Sequence, residues 1–159
     1  MSEEADAVDL AVVAYRDEGV WYLQELRATA LESVDSIGKE LRRYPGETGA
    51  LALISVDEDF VLLVRAQGAL ITVLLSDASA ATDWELARSA VDHLGLIVDD
   101  DDDQAPAGDL SIVADMGFSA QEMGELMDDF DLYPDEVLST IAERLGFGDR
   151  FDEMAGLSA

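Results

Sequence analysis

The densest sets of metal-ligating atoms in this sequence are two runs of carboxylates. Asp99 to Asp103 are five aspartates in a row, and Asp57-Glu58-Asp59 stand between two apolar stretches. Carboxylate oxygens suit hard cations such as Mg²⁺ and Ca²⁺. A calcium loop, however, follows D-x-[DN]-x-[DN]-G-x₅-E and needs a glycine at its sharp turn. The stretch DDDDDQAPAGDL lacks that glycine and has no closing Glu. Asp57-Glu58-Asp59 has the composition of a polar hairpin turn. Five like charges in a row repel one another, so Asp99–Asp103 reads as an extended connector. No metal site and no cofactor is expected.

Other routes to chemistry are equally thin. The chain has no Cys and one His, His93. It therefore lacks thiolate ligands, a cysteine nucleophile and the donors of an ordinary zinc site. No G-x-S-x-G elbow accompanies His93, whose place near a helix C-terminus suits the helix dipole. A phosphate loop needs glycines entering a helix, usually with lysine. The single lysine, Lys39, falls inside an apolar-periodic segment instead. The best candidate ligand loop is Ser76–Asp83, with Ser76, Asp77, Ser79 and Asp83 before a helix. Local capping explains the same residues without a ligand. Met116-Gly117-Phe118 matches the M-G-F loop of ubiquitin-associated domains, and a C-cap glycine followed by a core Phe explains it as well. No enzyme activity is expected.

The elements that would position these residues are legible. Segments 9–15 and 20–26 are rich in β-branched and aromatic residues and flank a turn in which Gly19 can supply a positive φ. Segment 29–44 has Leu31, Val34, Ile37 and Leu41 at helical spacing, with Thr29 and Glu32 in a capping-box pattern. Three apolar strands follow at 50–56, 60–66 and 69–75, joined by turns short enough to make them antiparallel neighbours. Their near-continuous apolar character suggests central strands, buried on both faces or nearly so. Segment 82–95 reads as a helix with Thr82 and Glu85 as its box and Gly95 as its stop. The order β-β-α-β-β-β-α predicts an α+β fold, an antiparallel sheet of about five strands with helices on one face. Beyond the acidic run the period is purely helical. Ser119 and Glu122 form a further box, Pro134 fits a first turn, and Val137, Leu138, Ile141, Ala142 and Leu145 form a stripe ended by Gly146. The chain thus divides into a sheet domain (1–96), an acidic linker (97–108) and a small helical domain (109–159).

Charge carries the functional argument. Nine Lys+Arg against 36 Asp+Glu give −27. Residues 97–159 alone hold 18 acids and two bases, a net of −16. Nucleic-acid affinity comes mainly from Lys and Arg displacing counterions, so direct binding of DNA or RNA is disfavoured, as is an anionic membrane. A basic protein would be attracted. MDDFDLYPDE is the natural contact: Asp128, Asp129 and Asp131 give charge and Tyr133 an anchor, beside Phe130 and Leu132. The competing explanation is that Phe130 and Leu132 are core and the acids solvate a turn. The N-terminus has no basic or leader-like apolar region, and the longest apolar runs fall far short of a membrane span, so a cytoplasmic location is expected.

Several long stretches resemble the actinobacterial tRNA adenosine deaminase-associated proteins. They are VVAYRDEGVW, PGETGALALISVDEDFVLLVR, LLSDASAATDWELARSAVDHLGL, AGDLSIVADMG and DDFDLYPDEVLSTIAERLGFGDRF, in that order along nearly the whole chain. The resemblance implies an association with the deaminase and brings no catalytic motif. The chain is not itself the deaminase. Zinc deaminases need H-x-E and P-C-x-x-C, whereas His93 here precedes Leu94-Gly95 and no Cys exists. Three functions fit. The first is a non-catalytic acidic partner of a tRNA adenosine deaminase or another basic RNA-binding protein. The second is a nucleic-acid mimic inhibiting a DNA- or RNA-binding protein. The third is a small-ligand sensor or enzyme using the Ser76–Asp83 loop. A homodimer is compatible with all three.

Overall fold

The computed structural model describes residues 8–26, 31–44, 49–56, 60–68, 70–82, 84–95, 106–128 and 132–155. In chain order they form β1 (Val8–Asp17), β2 (Val20–Glu25), α1 (Val34–Leu41), β3 (Ala50–Val56), β4 (Phe60–Gln67), β5 (Leu70–Leu75), α2 (Glu85–Leu94), β6 (Ala107–Gly108), α3 (Ala120–Met127), α4 (Pro134–Leu145) and α5 (Gly148–Ala155). The expected α+β order is present. The strands lie as β2-β1-β3-β4-β5-β6, and every neighbouring pair is antiparallel. The runs Asp57-Glu58-Asp59 and Asp99–Asp103 lie outside the described residues.

Local chemistry explains most boundaries. The β1–β2 turn places Glu18 at φ 52° and Gly19 at φ 79°. Two successive positive φ values define the type I′ turn whose twist matches paired strands. Helix α1 starts later than the sequence suggests. Ser33 is its cap, its Oγ accepting from the Ser36 N–H at 3.2 Å, while Thr29 lies outside the described residues. The expected Thr82–Glu85 box lies outside the described residues, since the Thr82 side chain and Asp83 are not among them. A 3₁₀ turn takes up Ala78–Thr82, and Trp84 precedes α2 without a side-chain cap. Asp77 begins the helical chain direction there instead, accepting from the Ser79 N–H at 2.9 Å. The third box is present, with Ser119 Oγ accepting from the Glu122 N–H at 3.2 Å.

Strands β3 and β4 are buried over nearly their whole length. Alternate residues feed two separate cores. Ala52, Ile54, Leu62 and Val64 meet α1 and α2 through Ile37, Leu41, Leu86 and Val91. Leu51, Leu53, Val61 and Leu63 meet the later helices through Met123, Leu138, Ile141 and Phe151. The helical segment after the acidic run thus lays its apolar stripe on the second face of the sheet, and the sheet lies between two helical layers.

Two contacts fix where that segment begins. Ala107 and Gly108, the last residues of the expected connector, pair with Leu75 and Leu74 as β6. Gly108 has φ 115°, and a Cβ there would sit 2.2 Å from the carbonyl oxygen of Val73. Arg65, on β4, is 2% exposed. Its guanidinium donates to the Ile112 carbonyl at 2.7 Å and grips both carboxylate oxygens of Asp115, Nη2 to Oδ2 at 2.9 Å. The hydrogen bonds from Arg65 are the main reason the Asp115 carboxyl is held below the usual carboxylate range. Partial burial opposes the shift, and the charge of Arg65 adds to it.

A carboxyl with a depressed pKa in the folded state stabilises the fold fully above its unfolded value, about 3.9. That contribution fades as pH falls through the lowered folded value. Asp115→Asn is expected to cost about 1–3 kcal/mol at neutral pH, below the full cost of breaking a buried pair because the Asp115 side chain is half exposed. Urea unfolding at neutral pH and near pH 3 measures it, and the gap between variant and wild type should shrink at the acid end. Gly108→Ala should lower the unfolding free energy measured in urea by at least the roughly 1 kcal/mol that a strained positive φ costs, since both the conformation and the contact with Val73 oppose a side chain.

Candidate protein-binding surface

The placement of cations decides what the surface offers. Among the described residues, several arginines turn onto the protein's own acceptors or rings. Arg65 is held by Asp115 and Ile112. Arg144 pairs with Glu122, donates to the Gly117 carbonyl at 3.4 Å and lies 5.4 Å over the Phe118 ring. Arg43 faces Glu40 at 3.6 Å, and Arg88 donates to the Ala81 carbonyl at 3.3 Å. Arg16 lies over Trp21 at 5.7 Å, and Arg150 donates to the Trp21 carbonyl. Glu125, Asp128, Glu136, Glu143, Asp149 and Glu153 are exposed. Several arginines therefore tie parts of the fold together, while Lys39 and Arg42 are exposed and carboxylates outnumber the bases at the surface.

The predicted contact residues fall at the α3–α4 corner. Asp128 caps the C-terminus of α3 and is exposed. Tyr133 caps the N-terminus of α4 and is 58% exposed. Asp129, Phe130 and Asp131 lie outside the described residues. Leu132 is half-buried against the second core, which agrees with its structural explanation. The acids after Tyr133 have local roles as well. The Tyr133 N–H donates to Glu136 Oε1 at 3.1 Å, and Asp135 and Glu136 occupy the first turn, where carboxylates are favoured by the helix dipole. The corner thus presents an aromatic ring held by a capped helix with carboxylates around it.

The described part of the Ser76–Asp83 loop is held by local hydrogen bonds and by β4. Ser76 Oγ accepts from the Val61 N–H at 2.8 Å. Asp77 is buried, with Oδ1 accepting from both the N–H and the hydroxyl of Ser79. Asp83 lies outside the described residues. His93, near the end of α2, donates from Nε2 to the Ile71 carbonyl at 3.1 Å. Met116-Gly117-Phe118 is a 3₁₀ turn closed by Gly117 and followed by a buried Phe. Among the described residues, no group of three or more His, Asp or Glu is placed to hold a metal ion, and no helix is long and apolar enough to cross a membrane.

One feature escapes sequence reasoning. A cleft of about 620 Å³ opens between the β1–β2 turn and the α4–α5 corner, lined by Trp21, Glu143, Phe147, Asp149, Arg150 and Asp152 among others. The Trp21 indole donates to the Leu145 carbonyl at 3.1 Å, and its ring lies 4.7 Å from that of Phe147. Asp152 accepts from the Ser139 hydroxyl at 2.6 Å. Trp21 and Leu145 are 124 positions apart, so no local pattern announces their meeting.

Comparison with known proteins agrees with the resemblance. The model of the Rv3753c-like tRNA adenosine deaminase-associated protein matches residues 9–148. Protein Rv3753c of Mycobacterium tuberculosis (strain ATCC 25618 / H37Rv) is 34% identical over 153 residues, spanning 94% of this chain and 87% of its own length. No solved structure matches. The chain belongs to the family of Rv3753c-like tRNA adenosine deaminase-associated proteins.

Proposed function

We propose that this protein is a non-catalytic partner that offers a negative surface to a basic protein, with a tRNA adenosine deaminase as the candidate. An enzyme that handles tRNA needs cationic surface, because phosphate binding rests on Lys and Arg. A chain at −27 is steered toward such a surface. The observation that carries the proposal is the division of charge: arginines engaged with internal acceptors, carboxylates outward, and Tyr133 exposed among them. Asp128, Asp129 and Asp131 supply the attraction. Tyr133 supplies the anchor, since aromatic rings at the centre of an interface tend to carry its energy. Such a partner stabilises the enzyme or keeps non-specific RNA from it, and tRNA would compete for the same cations. The Ser76–Asp83 loop is the weaker candidate, because Ser76 bonds the Val61 N–H and Asp77 bonds Ser79, which gives these groups local roles.

Purified protein titrated against the tRNA adenosine deaminase at low and high salt tests this. A complex is expected at low ionic strength, weakened at least tenfold near 1 M salt, where the Debye length falls to about 3 Å. Tyr133→Ala should weaken it roughly tenfold or more, mostly through faster dissociation. Asp128→Asn should mainly slow association. The absence of any complex at low salt overturns the proposal.

A further inference from the structure

Among the described residues, β2 is the longer of the sheet's two edge strands. β6 closes one side of the sheet with two residues, whereas β2 forms the other with six. Edge strands are ordinarily blunted by brevity, proline, charged side chains or a covering segment. β2 reads VWYLQE, with no proline and a single charge, Glu25, at its end. The register settles which main-chain groups face outward. The Leu26 N–H donates to the Ala11 carbonyl at 3.0 Å, and Val12 is opposite Glu25. In an antiparallel ladder this turns the main chain of residues 20, 22 and 24 toward β1, and that of Trp21, Leu23 and Glu25 away from it. Arg150 agrees with this parity, since it reaches the Trp21 carbonyl from outside the sheet. The edge beyond that cap is the N–H and C=O of Leu23 and Glu25.

The two sides of this edge differ in chemistry. On the α1 side, Val20 and Tyr22 are each 44% exposed, and Tyr22 stacks on Tyr15 at 5.4 Å. On the other side lies the cleft beside Trp21, with Glu143, Asp149 and Asp152 against a single cation, Arg150. A strand added here would place alternate side chains on these two sides.

We infer that β2 is a docking edge for an extended basic segment of the partner protein, added as a further antiparallel strand, with its apolar side chains on Val20 and Tyr22 and its lysine or arginine side chains toward the carboxylates of the cleft. Main-chain bonds give such an interaction its affinity and alternate pockets its specificity. The inference rests on the proposed function, and assigns it a second attachment. A second copy of this chain is the poorer occupant, because its own edge is bordered by carboxylates and its net charge repels.

The probe is a short labelled peptide of alternating lysine and valine, with a glutamate–valine peptide as its counterpart, titrated against the full chain at low salt by fluorescence anisotropy. The lysine peptide should bind and the glutamate peptide should not. Glu25→Pro removes an outward N–H while leaving the ladder to β1 intact, and should weaken binding roughly tenfold. Glu143→Gln with Asp149→Asn alters exposed side chains only, remains informative should the proline variant misfold, and should weaken binding by a similar factor. Tyr133→Ala should leave peptide binding unchanged. Failure of the wild type to bind, equal binding of both peptides, or indifference to both sets of variants overturns the inference. A wild type that sediments as a dimer, made monomeric by Glu25→Pro, makes a second copy the occupant and also overturns it. The deaminase separates the two claims. A complex that survives Glu25→Pro and the carboxylate changes but not Tyr133→Ala removes strand addition and leaves the proposed function. No complex at all, with β2-dependent peptide binding intact, removes the deaminase and leaves the docking edge.

Discussion

Strands β3 and β4 carry apolar side chains toward both faces of the sheet, and neither face can be left in water. Helices α1 and α2 cover one face. The other is covered by residues 112–154, which belong to the most acidic part of the chain. That pairing sets the character of the molecule. Burying a helix stripe of valine, leucine and isoleucine stabilises the second layer at roughly 25 cal/mol per Å² of apolar area. The same helices must carry their carboxylates on the opposite side, where water screens them. Packing of the apolar stripe is what allows so strong a negative charge to ride on a folded surface despite its self-repulsion.

The few cations are placed where that arrangement is weakest. Arg65 rises from β4 into the edge of the second core and fastens the chain at Ile112 and Asp115, just after it leaves β6. Arg144 ties α4 to the start of α3 through Glu122 and Gly117. Arg150 ties α5 to β2 through the Trp21 carbonyl, while the Trp21 indole returns a bond to the end of α4. Each joins segments distant in sequence. A buried arginine is an expensive residue to place, and one with a bidentate partner gains direction as well as charge compensation. Because the bases are used in this way, the exposed carboxylates have few basic neighbours, and the outward field stays negative.

Much of this could be read from the residues, for physical reasons that also mark where reading stops. The continuous apolar runs at 50–56 and 60–66 announced burial on both faces, and β3 and β4 have it. The run at 69–75 announced the same, but β5 is buried only from Val73 to Leu75, with Leu70 exposed toward the short edge. The stripe from Val137 to Leu145 and the stop at Gly146 follow from helical period and cap chemistry, which are local. Capping boxes were less reliable guides. Ser119 performs as its pattern says, but Ser33 caps α1, and the Asp77–Ser79 pair draws the chain into a 3₁₀ turn ahead of α2. An S/T-x-x-E pattern states only that a cap is available, and a neighbouring acceptor can take the turn first. Tyr133 and Asp128 were legible as a charged aromatic corner because they are close in sequence. The β2 edge and its cleft were not, because they depend on Trp21 meeting residues of the α4–α5 corner.

The geometry of α4 connects the two surfaces. Tyr133 stands before its first turn, and the cleft lies beyond its last. A helix of 12 residues is about 18 Å long, so a partner bridging both would span a distance common within one protein interface. Neither attachment has to be strong alone. Two sites on one rigid helix raise the effective concentration of the second contact once the first is made. The corner is poorly suited to shape recognition, since it offers one exposed ring and point charges rather than a shaped pocket. The edge supplies what the corner lacks, because main-chain bonds require a partner strand in one direction and one register. Long-range attraction and short-range selection are then separated along a single helix. On the proposed reading, this arrangement would let a highly charged protein discriminate among the many basic surfaces that its field alone would attract.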